Sequence, residues 1–144
     1  VTLQQLHRDV DDRLGGLQRQ VPDQVAALRA AAMADSQAFG AAWLPWVAAI
    51  QDALDDDAVV ATDNAMCVYY GAIPNLRMSC PTSFHFPTGF GTLGFTVPVA
   101  IGASLAAPGR QVVGISGDGG LLFTAPELSV AEGNTFFHAQ LFVD

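Results

Sequence analysis

The chain reads as an α/β protein, a parallel sheet with helices on both faces, preceded by a helical segment. Three observations predict this. Short apolar runs rich in β-branched residues stand at 58–62 (AVVAT) and 111–116 (QVVGIS), and a third apolar run stands at 136–143 (FFHAQLFV). Runs of this kind are strands covered on both faces. Helical candidates separate them, and strand–helix–strand alternation requires parallel strands joined by crossovers. Loops at the carboxyl ends of such strands, where ligands bind, begin here at Asp63, Gly117 and Asp144.

The elements follow in order. Residues 1–40 carry a helical pattern that Gly15-Gly16 interrupts, with Val25, Leu28 and Ala32 at helical spacing and Pro22 near a start. They are read as a linker and the tail of a preceding domain, with the main domain over 41–144. A second helix fits Pro45 to Leu54, with Pro45 in its first turn and Trp46, Val47, Ile50 and Leu54 on one side. Asp55-Asp56-Asp57 closes it as a solvated acidic turn, because adjacent carboxylates repel and point apart. After the first strand, Pro81 and Pro87 argue against a sheet-interior strand over 80–88. A helix is predicted over Phe95–Ala107, ended by Pro108-Gly109, and another from Thr124, where T-A-P-E makes Thr124 an N-cap that Glu127 answers. Phe136–Val143 is the last strand.

Composition narrows the function. At 144 residues the chain is about one domain. Apolar residues make up 51% and charged residues 14%, against a usual ~25%; so apolar a surface is one that a partner covers. Lys+Arg number 6 against Asp+Glu 14, a net charge of −8, which excludes nucleic acid as a partner. Every cation is arginine, which excludes a P-loop lysine and a Schiff base on this chain. Cys67 and Cys80 form no C-x-x-C, so zinc on cysteine pairs and a dithiol redox motif are excluded. Low cysteine use and the lack of a signal peptide predict a cytoplasmic protein, and the apolar stretch 95–107 is too short to cross a membrane. His7, His85 and His138 have no ligand partners at metal spacing; His85, ahead of the first glycine motif, is read as packing or surface. Ser116 and Ser129 lack a G-x-S-x-G setting, and Trp43, Trp46, Tyr69 and Tyr70 are read as core or interface.

Two glycine motifs carry the chemistry. Gly89-Phe90-Gly91-Thr92-Leu93-Gly94 is a G-x-G-x-x-G opening a helix, as in dinucleotide-binding domains, but that fingerprint needs a strand directly before the first glycine. Gly117-Asp118-Gly119-Gly120 directly follows a buried strand. Its glycines leave backbone N–H groups free for phosphate oxygens. A carboxylate in the same loop can face phosphate only across a cation, which points to Mg²⁺ on Asp118.

Taken together, Thr88 to Ala131 (TGFGTLGFTVPVAIGASLAAPGRQVVGISGDGGLLFTAPELSVA) resembles the diphosphate-binding domain of thiamine-diphosphate-dependent 2-oxo acid enzymes, the acetolactate synthases and related decarboxylases. The order of the glycine turn, P-x-A-I-G-A, a strand, G-D-G and E-L carries the likeness. Val59 to Asn64 resembles the family's first strand and diphosphate-contacting turn. The resemblance spans roughly residues 45–144. It implies thiamine diphosphate and Mg²⁺ as cofactors, held by Asn64, Ala65, Gly91, Thr92, Leu93, Gly117, Asp118, Gly119 and Gly120, with Asp118 on the metal. Gly91 C=O and Leu93 N–H would bond the aminopyrimidine ring, and the Leu93 side chain would hold the cofactor bent. Glu127 is read as a cap, not a catalytic acid. The implied activity is decarboxylation of a 2-oxo acid, with carboligation in the acetolactate synthase manner. The resemblance also implies a homo-oligomer, dimer or tetramer, in which the cofactor-activating glutamate lies on the pyrimidine-binding domain of a partner subunit. The family's second metal ligand, an asparagine, would fall just past Asp144, so the chain is expected to be a C-terminal piece of a longer enzyme, inactive alone. The other readings are a non-catalytic packing module and a dinucleotide-binding Rossmann domain.

Overall fold

The computed structural model describes the backbone of residues 3–131 and 137–140, and the side chains of Gln5 and residues 23–131. Asp144 and the segment 132–136 lie outside the described residues. The chain divides into two compact units, residues 1–35 and Ser36–Asp144. Helix α1 spans Leu3–Gly40. It runs through Gly15-Gly16 and Pro22, where the sequence predicts a break and a start. Its alanine-, glutamine- and arginine-rich flanks are strong helix formers and carry the helix across both sites.

Among the described residues, the second unit holds a four-stranded parallel sheet, as the alternation predicts: β1 (Val59–Thr62), β2 (Phe84–His85), β3 (Val112–Ser116) and β4 (Phe137–Gln140), in the order β2-β1-β3-β4. All pairings are parallel, with Val60 opposite Val113 and Ala61 opposite both Gly114 and His85. The two-residue β2 lies on the sheet edge between the prolines, where a missing N–H is tolerated. Phe136 and 141–143 of the predicted last strand lie outside the described residues.

Side chains alternate between the two faces. Val60, Val113 and Ile115 face one side and pack with Cys67, Val68 and Ala72, while Val59, Ala61 and Val112 face the other and pack on Ala100. The first partner is α3, a π-helical stretch Cys67–Ala72 continued by one α-turn, Ile73–Asn75. The second is α4, Thr96–Ala106, which ends before Pro108-Gly109 as predicted. Helix α2, Leu44–Ala53, covers the α3 side with Trp43, Val47, Ile50 and Leu54. Their spacing of four, three and four is one helical stripe. Trp46 falls off this stripe and is 56% exposed, so the expectation that it faces the core is corrected.

The acidic turn Asp55–Asp57 is exposed and caps the far end of the sheet. Gln111 Nε2 donates to Ala53 C=O (2.9 Å), and the Arg110 guanidinium donates to Asp57 C=O. The predicted capping box at Thr124 does not form. Helix α5 begins earlier, at Asp118, and Thr124 is its last residue, followed by a 3₁₀ stretch Ala125–Ala131. The glycine loop itself starts the helix, and the buried Thr124 Oγ1 has no hydrogen-bond partner among the described residues.

Two predictions follow from this core. Ile115 is 1% exposed and Leu122 is 75% exposed. In chemical denaturation, Ile115→Ala should cost about 2–5 kcal/mol and Leu122→Ala should change stability by no more than about 0.5 kcal/mol. Burial pushes the Cys67 thiol up from its ordinary value, outweighing the backbone N–H groups of Cys67 and Val68 that favour the thiolate. The unfolded chain therefore loses that proton first. The stabilisation is intact below about pH 8.5 and fades as pH rises through the raised value. Mass spectrometry after iodoacetamide treatment at pH 8 should show Cys80 alkylated first and Cys67 only on unfolding.

Candidate functional site

The strand order creates the site. From β1 the chain passes to β2 on one side, then crosses by α4 to β3 and β4 on the other. Connections leaving β1 and β3 thus diverge, one to each face of the sheet. The crevice between their carboxyl ends is where ligands of open parallel sheets bind.

Three loops meet there, and Asp63 lies at their junction. It is 1% exposed and follows directly after β1. Its backbone N–H donates to Ile115 C=O of β3 (3.0 Å). Its carboxylate accepts from the Asn64 N–H (2.9 Å) and from the Gly94 N–H (2.8 Å), the last residue of the glycine turn. Gly120 of the third loop packs on the same carboxylate: a Cβ there would stand 2.9 Å from Asp63 Cγ. A buried carboxylate without donors would be very costly; here two backbone amides satisfy it.

The glycine turn is held from further points. Asn64 Nδ2 donates to Thr92 C=O (3.1 Å), and Tyr69 Oη donates to Asn64 Oδ1 (2.8 Å). Gly94 has φ +81°, and a Cβ there would meet Phe123 Cβ and Thr124 Cγ2 at 2.9 Å, so the turn lies directly against the end of α5. Thr96 Oγ1, in the first turn of α4, donates to Ile115 C=O (3.2 Å). In the third loop, Gly117 is extended and Asp118 opens α5. A Cβ on Gly117 would touch Ala65 Cβ at 3.3 Å.

The structure therefore brings the sequence-predicted residues into one neighbourhood. Asn64 and Ala65 are half-buried on the β1 loop, and Gly91, Thr92 and Leu93 are exposed on the turn. Gly117 is half-buried, Asp118 and Gly119 are exposed, and Gly120 is buried. The Asp118 side chain makes no hydrogen bond or ion pair among the described residues. No group of three or more His, Cys, Asp or Glu side chains placed to hold a metal occurs among the described residues. Apolar side chains line the rim: Phe90 is 99% exposed, Leu93 44% and Phe123 70%. His85 lies on the edge strand, where its C=O accepts from Thr62 Oγ1 (3.0 Å). Sequence reasoning missed Asp63 and Tyr69. The signal for Asp63 was a lone carboxylate directly after an unbroken apolar strand.

Residues 66–135 match the family described as "Thiamine pyrophosphate enzyme, C-terminal TPP binding domain". That match covers 70 of this chain's 144 residues. The chain is 46% identical over 110 residues to a Pseudomonas aeruginosa protein named "Probable 2-ketoarginine decarboxylase", covering 74% of this chain and 19% of that protein. It is 40% identical over 83 residues to the acetolactate synthase of Bacillus subtilis, covering 57% of this chain and 14% of that enzyme. Among solved structures, the thiamine diphosphate-dependent 4-hydroxybenzoylformate decarboxylase of Rhodococcus jostii RHA1 superposes with a TM-score of 0.55 at 29% identity, over 67% of this chain and 19% of that one. The chain thus spans only a minor part of the length of these relatives. No helix among the described residues is long and apolar enough to cross a membrane.

The contact between Gly120 and Asp63 makes a direct prediction for this unit. Gly120→Ala should cost about 1–3 kcal/mol, because the new methyl meets a fixed carboxylate. At Gly119 a Cβ has nothing within 4 Å, so Gly119→Ala should not lower stability. Thermal melts of the two variants separate these outcomes.

Proposed function

We propose that this segment holds thiamine diphosphate through Mg²⁺, as part of a cytoplasmic enzyme that decarboxylates a 2-oxo acid. The observation that carries the reading is the meeting of a free carboxylate, Asp118, with an open glycine loop and the Asn64–Ala65 turn at the divergence point of the sheet. The residues present fit the group. Asp118 is exposed and unpartnered among the described residues, and open space lies over Gly119. Mg²⁺ takes one or two carboxylates and fills its shell with phosphate oxygens and water, so the Asp118 carboxylate beside a loop of open backbone N–H groups is a suitable donor set.

In this reading Asp118 binds the metal, and backbone N–H groups of Gly119 and Gly120 donate to the diphosphate oxygens, with Gly117, Asn64 and Ala65 lining the other wall. Gly91, Thr92 and Leu93 carry the ring end: Gly91 offers its C=O, Leu93 offers its N–H, and the Leu93 side chain supports the bent shape. Thiamine diphosphate, when bound, supplies the electron sink that lets a 2-oxo acid lose carbon dioxide. The protein's part is placement and the exclusion of water. The exposed Phe90, Leu93 and Phe123 rim supports a covering pyrimidine-binding domain of a partner subunit in a homo-oligomer, from which the cofactor-activating glutamate would come. The names of the relatives support two outcomes after decarboxylation, release of the product or carboligation to acetolactate, and 2-ketoarginine is the first substrate to assay.

The test is calorimetric titration of the full-length protein with thiamine diphosphate. Binding should require Mg²⁺ and disappear in Asp118→Ala; equal affinity in EDTA would overturn the role given to Asp118. Leu93→Ala should lower turnover more than cofactor affinity. A variant with unchanged turnover per folded molecule would make Leu93 ordinary packing.

A further inference from the structure

We infer that Asp63, Asn64 and Tyr69 are positioning residues that fix Leu93 at the crevice, an inference that rests on the cofactor reading above. Two consecutive residues of the β1 loop grip the glycine turn on either side of Leu93. Asn64 Nδ2 holds the Thr92 C=O at 3.1 Å, and the Asp63 carboxylate holds the Gly94 N–H at 2.8 Å. The residue between these two anchors, Leu93, is left with its side chain 44% exposed. A glycine turn has little stiffness of its own, since Gly91 and Gly94 both adopt positive φ. Its height above the sheet is therefore set by the two clamps.

Tyr69 acts one step further back. An asparagine amide can present either end to a carbonyl, and the wrong end repels it. The Tyr69 hydroxyl donates to Asn64 Oδ1 at 2.8 Å, which turns Nδ2 toward Thr92. The Tyr69 ring is itself seated edge-on against Phe86, with centroids 6.0 Å apart at 87°. The chain of contacts runs from α3 through Asn64 to the turn, without Tyr69 entering the cofactor set. Because Asn64 spends both ends of its amide on protein partners, its contribution to ligand binding comes through the turn as much as by contact.

The test uses the full-length protein and Tyr69→Phe, which removes one hydroxyl and keeps the ring, with Asn64→Asp as a second variant that loses the donor to Thr92. In the cofactor-free protein, amide exchange at Gly94, whose N–H the Asp63 carboxylate holds, should quicken by about fivefold in either variant, the loss of one neutral hydrogen bond. Unchanged exchange in both would overturn the clamp. In the loaded enzyme, Tyr69→Phe should lower kcat by about fivefold while cofactor affinity stays within about twofold. The same substitution added to Leu93→Ala should have no further effect on kcat, because the side chain it positions is gone. Additive losses in that double variant would show that Tyr69 acts elsewhere and would overturn the inference. A wild-type protein that binds no thiamine diphosphate would overturn the cofactor reading and the purpose assigned to the clamp, while the exchange data would still decide whether the clamp exists.

Discussion

A carboxylate taken out of water must find donors, and at Asp63 that requirement organises the whole carboxyl edge of the sheet. Its two acceptor oxygens are met by the amides of Asn64 and Gly94, from different loops, and its backbone N–H is met by the end of β3. A third loop is pressed against it at Gly120, where no side chain larger than hydrogen fits without displacement. One buried carboxylate thus fixes the relative positions of the β1 loop, the glycine turn and the first turn of α5. Breaking such a group's partnerships is expensive, which is why the junction can be rigid although Gly91, Thr92, Leu93, Asp118 and Gly119 around it are exposed.

The sheet supplies the frame on which this junction works. Strands of four or five residues with every side chain buried have to be covered on both faces. Residue alternation sends Val60, Val113 and Ile115 toward α2 and α3, and Val59, Ala61 and Val112 toward α4. Since the connections out of β1 and β3 leave toward opposite faces, the edge between them stays uncovered by the chain's own helices. The family match and the superposition with a thiamine diphosphate-dependent decarboxylase agree with that architecture.

The strands were legible because they are short, apolar and bounded by turn residues, and α4 because Pro108-Gly109 stops it. The π-helical α3 was not, since a π-turn has no distinct side-chain period. The Thr124 capping signal was real as a pattern and overridden by tertiary structure: Gly117 begins the helix at Asp118, so the later signal falls at its end. Trp46 lies off the core side of α2 because the stripe that packs begins at Trp43, just before the helix, and runs through Val47, Ile50 and Leu54. At the site, the glycine motifs were visible because backbone approach demands glycine at fixed spacing. Asp63 and Tyr69 were not, because what identifies them is a contact across 31 residues in one case and an amide orientation in the other.

The most direct test of the account is a crystal structure of the full-length protein grown with thiamine diphosphate and Mn²⁺ in place of Mg²⁺. An anomalous peak is expected about 2.1 Å from a carboxylate oxygen of Asp118, with the diphosphate against Gly119 and Gly120 and the ring end beside Leu93. A metal bound away from Asp118, or a diphosphate seated outside the crevice between β1 and β3, would contradict it.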